Sequence, residues 1–330
     1  RDRALIAEAP AQLEAQTARR VSDFLTGLFK LPDPRESRGE TVTAREILDQ
    51  GAARIRDELA AEPLVQGRLM RTIGAVYDQL GLYDQAETLL QDAVALHERH
   101  YPDSGIELAD SLLALGAVYF QLARYAEARQ LGERALAVRA ELGVMQDSDY
   151  AEVLDHLGTV VYYLDDFESS EDYYRRALAI LEETVGEDDA RYARVLDHLG
   201  LTLQTVGRLE EAERLALEAL AIREAVHGEL HPSTATSLLN VATLYLNVGR
   251  DEEAEPLLER ALVIDRQTNG EDHPDVAWDL RTLAALYGRQ GRHDEAETAA
   301  LEALDIWRRY VGDNHVQVVI TYDTLATIYL

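Results

Sequence analysis

The feature that most constrains this 330-residue chain is an internal period of 42 residues, which runs without a gap through most of the sequence. Once in each period a small residue recurs, with a large apolar residue four positions before it and another three positions after it. The small residues are Gly74, Gly116, Gly158, Gly200, Ala242, Ala284 and Ala326. A spacing of i, i+4 and i+7 places three residues on one face of an α-helix. Each period therefore predicts a helix with a close-packing face.

A second helical pattern follows in the same period. Its small positions are Ala86, Ala128, Ser170, Ala212, Ala254 and Ala296, and each is followed seven residues later by an alanine. Small residues let two helices approach closely, while large residues fill the grooves beside them. We therefore expect an all-α chain of antiparallel helix pairs, rather than the two conventional domains that its length alone would suggest.

The predicted turns have suitable residues. Gly81, Gly207, Gly249 and Gly291 stand where the first helix of a pair must end, and glycine adopts the left-handed cap conformation at little cost. Between repeats, proline follows histidine at positions 232 and 274, where it fits the first turn of a new helix.

The run from Gly249 to Glu255 (GRDEEAE), the run from Ala261 to Ile264 (ALVI) and the His-Pro turns resemble the tetratricopeptide repeat in its 42-residue, kinesin-light-chain form. The resemblance covers about residues 64–330. It implies a right-handed superhelical solenoid whose first helices line a concave groove. We expect three regions: an N-terminal amphipathic helix, loop and degenerate capping repeat (1–63), six repeats (64–312), and the first helix of a truncated seventh repeat (313–330).

Within the N-terminal region, apolar spacing predicts an amphipathic helix over residues 11–30 and composition predicts a loop over 31–40. Thr43 and Glu46 then form a capping-box pattern. The runs Ala18 to Leu25 (ARRVSDFL) and Thr41 to Asp49 (TVTAREILD) resemble a stretch of bacterial receptor-type serine/threonine kinases. That resemblance implies the docking or sensing region of a larger signalling protein, because the kinase motifs themselves are not in this sequence.

Charge and composition exclude several functions. The net charge of −29 disfavours nucleic acid and anionic lipid surfaces as partners. No apolar run reaches the roughly 18 residues of a membrane-spanning helix, so this chain is not expected to insert into a membrane. The absence of cysteine excludes disulfides, thiolate zinc sites and a cysteine nucleophile. The sequence leaves open whether the chain lies in the cytoplasm or outside it.

The implied groove supplies the candidate partner-binding residues, which mix aromatic, amide and charged side chains. They are Arg71, Phe120, Asp155, His156, Tyr162, Tyr163, Asp197, His198, Asn240, Asn247, Trp278 and Arg281. Amides can hydrogen-bond a peptide backbone, and aromatic side chains serve as anchors. The expected partner is therefore a protein or peptide. Kinesin light chains carry paired asparagines where this chain has pairs such as Asp197-His198, so their cargo specificity is not expected here.

Two alternatives remain open. The first is a self-assembling structural solenoid, with self-association through the C-terminal half-repeat, where Tyr322 and Tyr329 would be partly uncovered. The second, weaker alternative is a metal-dependent enzyme using Asp155-His156 and Asp197-His198, although duplication of one repeat into the next explains these pairs better. We therefore expect no catalytic residue, no metal ligand and no cofactor. His97 is expected at the surface near a helix C-terminus, where histidine interacts favourably with the helix dipole.

Overall fold

The structure, a computed structural model, describes residues 17–27, 43–100, 105–313 and 315–329. Over these residues it consists of helices joined by short turns, so the all-α prediction is confirmed. The chain divides into two compact units, with unit 1 ending at Asp166 and unit 2 beginning at Phe167. None of the described helices is both long and apolar enough to cross a membrane.

Unit 1 contains α1 (17–27), α2 (Ala44–Glu58), α3 (Pro63–Gln79), α4 (Tyr83–His100), α5 (Gly105–Gln121), α6 (Tyr125–Glu141) and α7 (Ser148–Tyr162). Unit 2 contains α8 (Phe167–Thr184), α9 (Ala190–Thr205), α10 (Leu209–His227), α11 (Pro232–Asn247), α12 (Asp251–Asn269), α13 (Pro274–Arg289), α14 (His293–Val311) and α15 (Val316–Ile328). The first repeat is α3 with α4, the second begins at α5, the fourth is α9 with α10, the fifth α11 with α12, and the sixth α13 with α14.

Helix α1 falls within the predicted amphipathic helix, whereas the rest of that prediction and the predicted loop lie outside the described residues. The capping box before α2 is confirmed, because Thr43 Oγ1 accepts from the Glu46 N–H and Glu46 accepts from the Thr43 N–H. The capping-box pattern therefore locates the start of α2 correctly.

The small positions of the second helices form the centre of the packing. All six are at most 2% exposed: Ala86, Ala128, Ser170, Ala212, Ala254 and Ala296. Ser170 places a hydroxyl where the other repeats have a methyl group, and its Oγ lies 3.1 Å from Thr202 Oγ1. A buried hydroxyl is tolerated because it has a hydrogen-bond partner.

Three helices of unit 2 begin with a histidine cap. The Nδ1 atoms of His231, His273 and His315 accept from the backbone N–H two residues later, at 3.2, 3.3 and 3.3 Å. Pro232 and Pro274 follow as the first helical residues, as predicted. A ring nitrogen accepts only when it carries no proton, so each cap requires the tautomer protonated on Nε2.

The turn between the two helices of a repeat requires a left-handed residue. Gly81, Gly207, Gly249 and Gly291 have φ values of 70°, 81°, 78° and 76°, which confirms the prediction. The second and third repeats have Ala123 (φ 56°) and Asp165 (φ 59°) at the same position. A residue with a Cβ atom pays roughly 1–2 kcal/mol for this conformation.

The arginine after this turn joins successive repeats. Arg250 donates to Glu253 at the start of its own helix and, at 2.7 Å, to Glu213 on the preceding second helix. Its guanidinium also lies 3.9 Å from the centre of the Tyr245 ring. The same pair of carboxylate contacts recurs at Arg124, Arg208 and Arg292. The Gly-Arg-x-x-Glu pattern of the sequence therefore encodes a connection between repeats.

Candidate functional site

The first helices contact one another in each unit. In unit 1 these neighbours are α3, α5 and α7, and in unit 2 they are α9, α11, α13 and α15. We call the surface that they share the first-helix face of that unit. The candidate residues divide equally: Arg71, Phe120, Asp155, His156, Tyr162 and Tyr163 in unit 1, and Asp197, His198, Asn240, Asn247, Trp278 and Arg281 in unit 2.

Four aromatic residues of unit 1 form what we call the aromatic cluster: Phe120, Tyr125, Tyr162 and Tyr163. The ring of Tyr163 stacks on Tyr125 at 5.2 Å and meets Phe120 edge-on at 5.1 Å and Tyr162 edge-on at 5.6 Å. Phe120 and Tyr125 are themselves 5.4 Å apart. Sequence reasoning predicted three of these residues and missed Tyr125, because it counted only first-helix positions and Tyr125 begins α6.

Tyr163 is the accessible member of the aromatic cluster. Its side chain follows the last residue of α7 and is 52% exposed, although three rings hold its orientation. Burial, with smaller contributions from Tyr125 and Tyr162, raises the pKa of Tyr163, so the phenol stays protonated as a hydrogen-bond donor. An exposed ring whose orientation is already fixed loses little entropy when a partner covers it.

Two other candidates of unit 1 belong to its interior. Asp155 is 5% exposed. The ring of His156 lies 6.3 Å from Phe120, and its buried Nε2 would be 3.2 Å from a Cβ atom placed on Gly116. Burial lowers the pKa of His156 to about 4, which keeps the ring neutral. Both side chains help to pack α7 on its neighbours in unit 1.

Arg71 belongs to a network of charges. Its Nη1 lies 2.7 Å from Asp110 Oδ2, while the buried Arg139 places Nη2 2.7 Å from the other carboxylate oxygen of Asp110. Arg68 pairs with Glu107 beside it. Arg71 is therefore oriented by the second repeat and keeps part of its guanidinium in contact with solvent.

A cleft of about 520 Å³ separates α1 from α3. Its lining residues are Ala18, Val21, Ser22, Leu25, Thr26, Arg68, Arg71 and Thr72. Helix α1 is held there by the Arg20–Glu62 ion pair and by Arg54, whose guanidinium lies 5.2 Å from the centre of the Phe24 ring. The N-terminal helix thus adjoins Arg71 on the first-helix face of unit 1.

In unit 2, Asp197 and Asn240 contribute to packing between repeats. Asp197 is 6% exposed, pairs with Arg223 at 2.8 Å, and accepts from Ser237 Oγ at 3.3 Å and from the Asn240 side chain. Burial raises the pKa of Asp197, although Arg223 opposes that shift. Asp197 is therefore buried and engaged at the boundary between the fourth and fifth repeats, and its side chain is not free to contact a partner.

The more accessible candidates of unit 2 are Trp278 and Asn247, and Arg281 is half-buried beside Trp278. Trp278 is 39% exposed, and the Arg281 guanidinium lies 4.6 Å from the centre of its ring. Asn247 is exposed at the end of α11. His198 instead packs against Tyr174, at 5.6 Å between ring centres. The first-helix face of unit 2 therefore presents an indole, a guanidinium and an amide.

The prediction for His97 was wrong. The residue is fully buried, and its Nδ1 lies 3.1 Å from Ser111 Oγ on α5. A Cβ atom on Gly67 would lie 2.2 Å from His97 Nε2, so the ring occupies space that only glycine leaves. Position 67 is alanine in the five following periods, at Ala109, Ala151, Ala193, Ala235 and Ala277. Glycine in place of alanine at position 67 is therefore the sequence feature that could have predicted the burial of His97.

The chain is similar to solved structures of helical repeat proteins. BtubC (BKLC) from P. vanneervenii is 26% identical with a TM-score of 0.60, over 69% of this chain and 94% of that chain. A Podosopora anserina protein described as a kinesin light chain with nearly identical TPR-like repeats is 22% identical (TM-score 0.52; 61% and 95% covered). A Rap protein complexed with Competence and Sporulation Factor is 17% identical (TM-score 0.60; 94% and 88% covered). No curated protein matches in sequence.

The tetratricopeptide repeat model matches residues 65–141, 107–183, 149–225, 191–264, 233–306 and 282–330. These overlapping matches cover well over half of the chain and reproduce its 42-residue period. The helix pairs, left-handed turns and buried alanines described above agree with that assignment. The chain belongs to the tetratricopeptide repeat family.

Proposed function

We propose that the chain is a non-catalytic interaction scaffold, which binds a peptide or partner helix in the groove lined by its first helices. The observation that carries this proposal is the aromatic cluster of unit 1, where Tyr163 is exposed and yet held by three rings. Aromatic anchors of this kind supply much of the binding energy at protein interfaces.

Two further observations support binding at the first helices. Trp278 and Arg281 give unit 2 an exposed aromatic surface with a cation stacked on it. The Rap protein, which shares this fold, was solved in complex with Competence and Sporulation Factor, so the fold accommodates a bound partner. Asp155 and His156, by contrast, serve packing in unit 1, so the metal-enzyme alternative has no geometric support in that unit.

The test selects peptides from a displayed random library against the whole chain and measures their affinity by fluorescence anisotropy. Tyr163→Ala should weaken a selected peptide by about 30-fold, which corresponds to a contribution of about 2 kcal/mol from one anchor. Tyr163→Phe should retain most of the affinity if the ring is the main contact. Thermal melts establish that each variant is folded.

The matched control is Tyr310→Ala. Tyr310 is 65% exposed and lies on α14, a second helix, so its removal should leave the affinity unchanged. Unchanged affinity for Tyr163→Ala, or an equal loss for Tyr310→Ala, would contradict binding at the aromatic cluster.

The resemblance of the N-terminal region extends the proposal. We infer that the scaffold is the docking or sensing region of a larger bacterial signalling protein, such as a serine/threonine kinase. A kinase substrate or regulator would then be the natural partner. Phosphotransfer assays with the full-length protein, with and without a selected peptide, test this step. A response of kinase activity to the peptide supports it, and full-length protein without kinase activity contradicts it.

A second candidate function is self-association through α15. Val316, Val319 and Tyr322 of this helix are 58%, 61% and 46% exposed, while Val318, Leu325 and Ile328 pack against α13 and α14. Large apolar side chains that lie exposed close together on one surface often mark an interaction site. Light scattering over a concentration series should then show a dimer that Val319→Lys dissociates, whereas a constant monomer mass would exclude it.

A further inference from the structure

Unit 2 contains two buried carboxyl groups in contact at the boundary between the fifth and sixth repeats. Asp265 on α12 is 6% exposed and Asp279 on α13 is 1% exposed, and their side chains are hydrogen-bonded to each other. Among the described residues neither carboxyl group has an arginine or histidine within ion-pairing distance. Asp279 Oδ2 also has no hydrogen-bond partner within the described part of the chain.

The basic residues near the pair are engaged elsewhere. Arg266, next to Asp265 on α12, pairs with Glu271 at 3.0 Å and with Glu302 at 2.5 Å. Arg281, two residues after Asp279 on α13, stacks on Trp278. Helix α11, which packs on both α12 and α13, contains no acidic or basic residue. Within the described part of the chain, no arginine therefore forms an ion pair with Asp265 or Asp279, and the nearest basic group is His273, which opposes the rise in the pKa of Asp265.

The remaining groups around the pair lie in the turn before α13 and in its first turn. His273 Nδ1 lies 3.2 Å from Asp275 Oδ2, and Asp275 adds further negative charge near the pair. Asn269 Nδ2 donates to Asp265 Oδ1 at 3.2 Å and to Asp275 Oδ2 at 3.2 Å. The amide therefore favours the ionised form of Asp265, and the proton between the pair belongs to Asp279.

Two ionised carboxylates in contact within a protein interior repel each other strongly, so such a pair retains one proton. Burial, and secondly the neighbouring Asp265, raise the pKa of Asp279; burial, and secondly Asp275, raise that of Asp265. We propose that Asp265 and Asp279 form a proton-binding site that makes the packing of the fifth repeat on the sixth depend on pH.

The sign of the dependence follows from linkage. An unfolded chain releases the proton near pH 3.9, whereas the folded pair holds it to a higher pH. Between those values the folded state binds more protons, so the free energy of unfolding falls as pH rises. Alkaline pH removes the shared proton and leaves two charges in contact between α12 and α13.

The fold itself does not require acids at these positions. One period earlier the equivalent residues are Arg223 and Ser237, which are 2.8 Å apart, and two periods earlier they are the buried Leu181 and Val195. An apolar pair therefore satisfies the same packing. Trp278 directly precedes Asp279 on α13, so the proton-binding site adjoins a residue of the proposed binding surface.

The experiment compares urea unfolding of the whole chain and of Asp279→Asn at about pH 5.5 and about pH 8.5. Asparagine imitates the protonated carboxyl group and cannot ionise. From the lower to the higher pH, the unfolding equilibrium constant of the wild type should rise by on the order of 100-fold more than that of the variant. Asp265→Asn, measured in parallel, should reduce the dependence in the same way and serves if Asp279→Asn does not fold.

Asp323→Asn is the charge control, because Asp323 is an exposed carboxylate on α15. It removes the same charge from the same unit and should follow the wild type at both pH values. If Asp279→Asn and Asp265→Asn also follow the wild type, the proposal is wrong.

A bound divalent cation would be the other way to neutralise the pair, although the described residues contain no group of three or more acidic or histidine side chains placed to hold one. Calcium or magnesium chloride is therefore added at the higher pH. The proton site predicts no stabilisation beyond that seen in Asp279→Asn. Stabilisation of the wild type alone would identify a cation site and overturn the proposal.

Discussion

At two boundaries between repeats, the same two positions of the 42-residue period hold buried side chains that differ in protonation. Between the first and second repeats these positions hold His97 and Ser111; four periods later, between the fifth and sixth, they hold Asp265 and Asp279. All four side chains are buried. Burial, and secondly Arg71, lower the pKa of His97 to about 4, so the imidazole at the first boundary is neutral. At the later boundary the Asp265–Asp279 pair retains one proton.

The difference teaches that the repeat determines burial at these positions but not their chemistry. Leu181 and Val195 fill them with apolar groups, and Arg223 and Ser237 fill them with a cation that Asp197 neutralises. What these solutions share is a boundary without uncompensated charge. Burying an unpaired charge is costly, so each boundary adopts the protonation state or partner that removes it.

The largest expected effect comes from breaking the Arg223–Asp197 ion pair at the boundary between the fourth and fifth repeats. Arg223→Met removes the partner of the buried Asp197 and should destabilise the protein by about 3–5 kcal/mol, because a buried carboxylate is left unpaired. Urea unfolding near neutral pH measures the loss. Arg214→Met is the control, since Arg214 lies on the same helix with a side chain 63% exposed. A loss no greater than that of the control would show that Arg223 does not compensate Asp197.

The next effect concerns the buried, neutral His97 at the boundary between the first and second repeats. The folded pKa of His97 lies below its ordinary value of 6.5, so the unfolded chain binds more protons between about pH 6.5 and pH 4. The free energy of unfolding therefore decreases as the pH is lowered through that window. The wild type should lose about 3 kcal/mol more than His97→Gln across it. Unfolding curves at several pH values measure the difference. His100→Gln, at an exposed position of α4, should behave as the wild type, and an equal slope for His97→Gln would contradict the assignment.

The smallest effect concerns the turns of the two units. Ala123 in unit 1 adopts the left-handed conformation that glycine adopts at position 249 in unit 2. Ala123→Gly should therefore stabilise the protein by about 1 kcal/mol, and Gly249→Ala should destabilise it by a similar amount. Thermal melts check both. Changes of the same sign in the two variants would show that the turn conformation does not dominate.

The periodic part of the fold could be predicted from the sequence because each repeat carries local patterns that specify its own helices and turns. The small positions, the left-handed glycines, the His-Pro turns and the Thr43–Glu46 capping box are local patterns, and the structure has them where the pattern predicts. Such features depend on residues within a few turns of one another.

The departures from periodicity could not be predicted in the same way. His97 is buried because Gly67, on another helix, leaves room for its ring, and Tyr125 joins the aromatic cluster across a turn. The Asp265–Asp279 contact joins residues 14 positions apart on consecutive helices. The groove assignments of Asp155, His156 and Asn240 followed the family register, which gives a residue's position on a helix but not the neighbours that its side chain finds.

The most direct test of the proposed scaffold is the hydrogen-exchange footprint of a selected peptide on the whole chain. We expect protection at the C-terminal ends of α5 and α7, where Phe120, Tyr162 and Tyr163 lie, and a marked loss of that protection in Tyr163→Ala at the same peptide concentration. Protection confined to second helices such as α4 and α6, and unchanged by Tyr163→Ala, would contradict binding along the first helices.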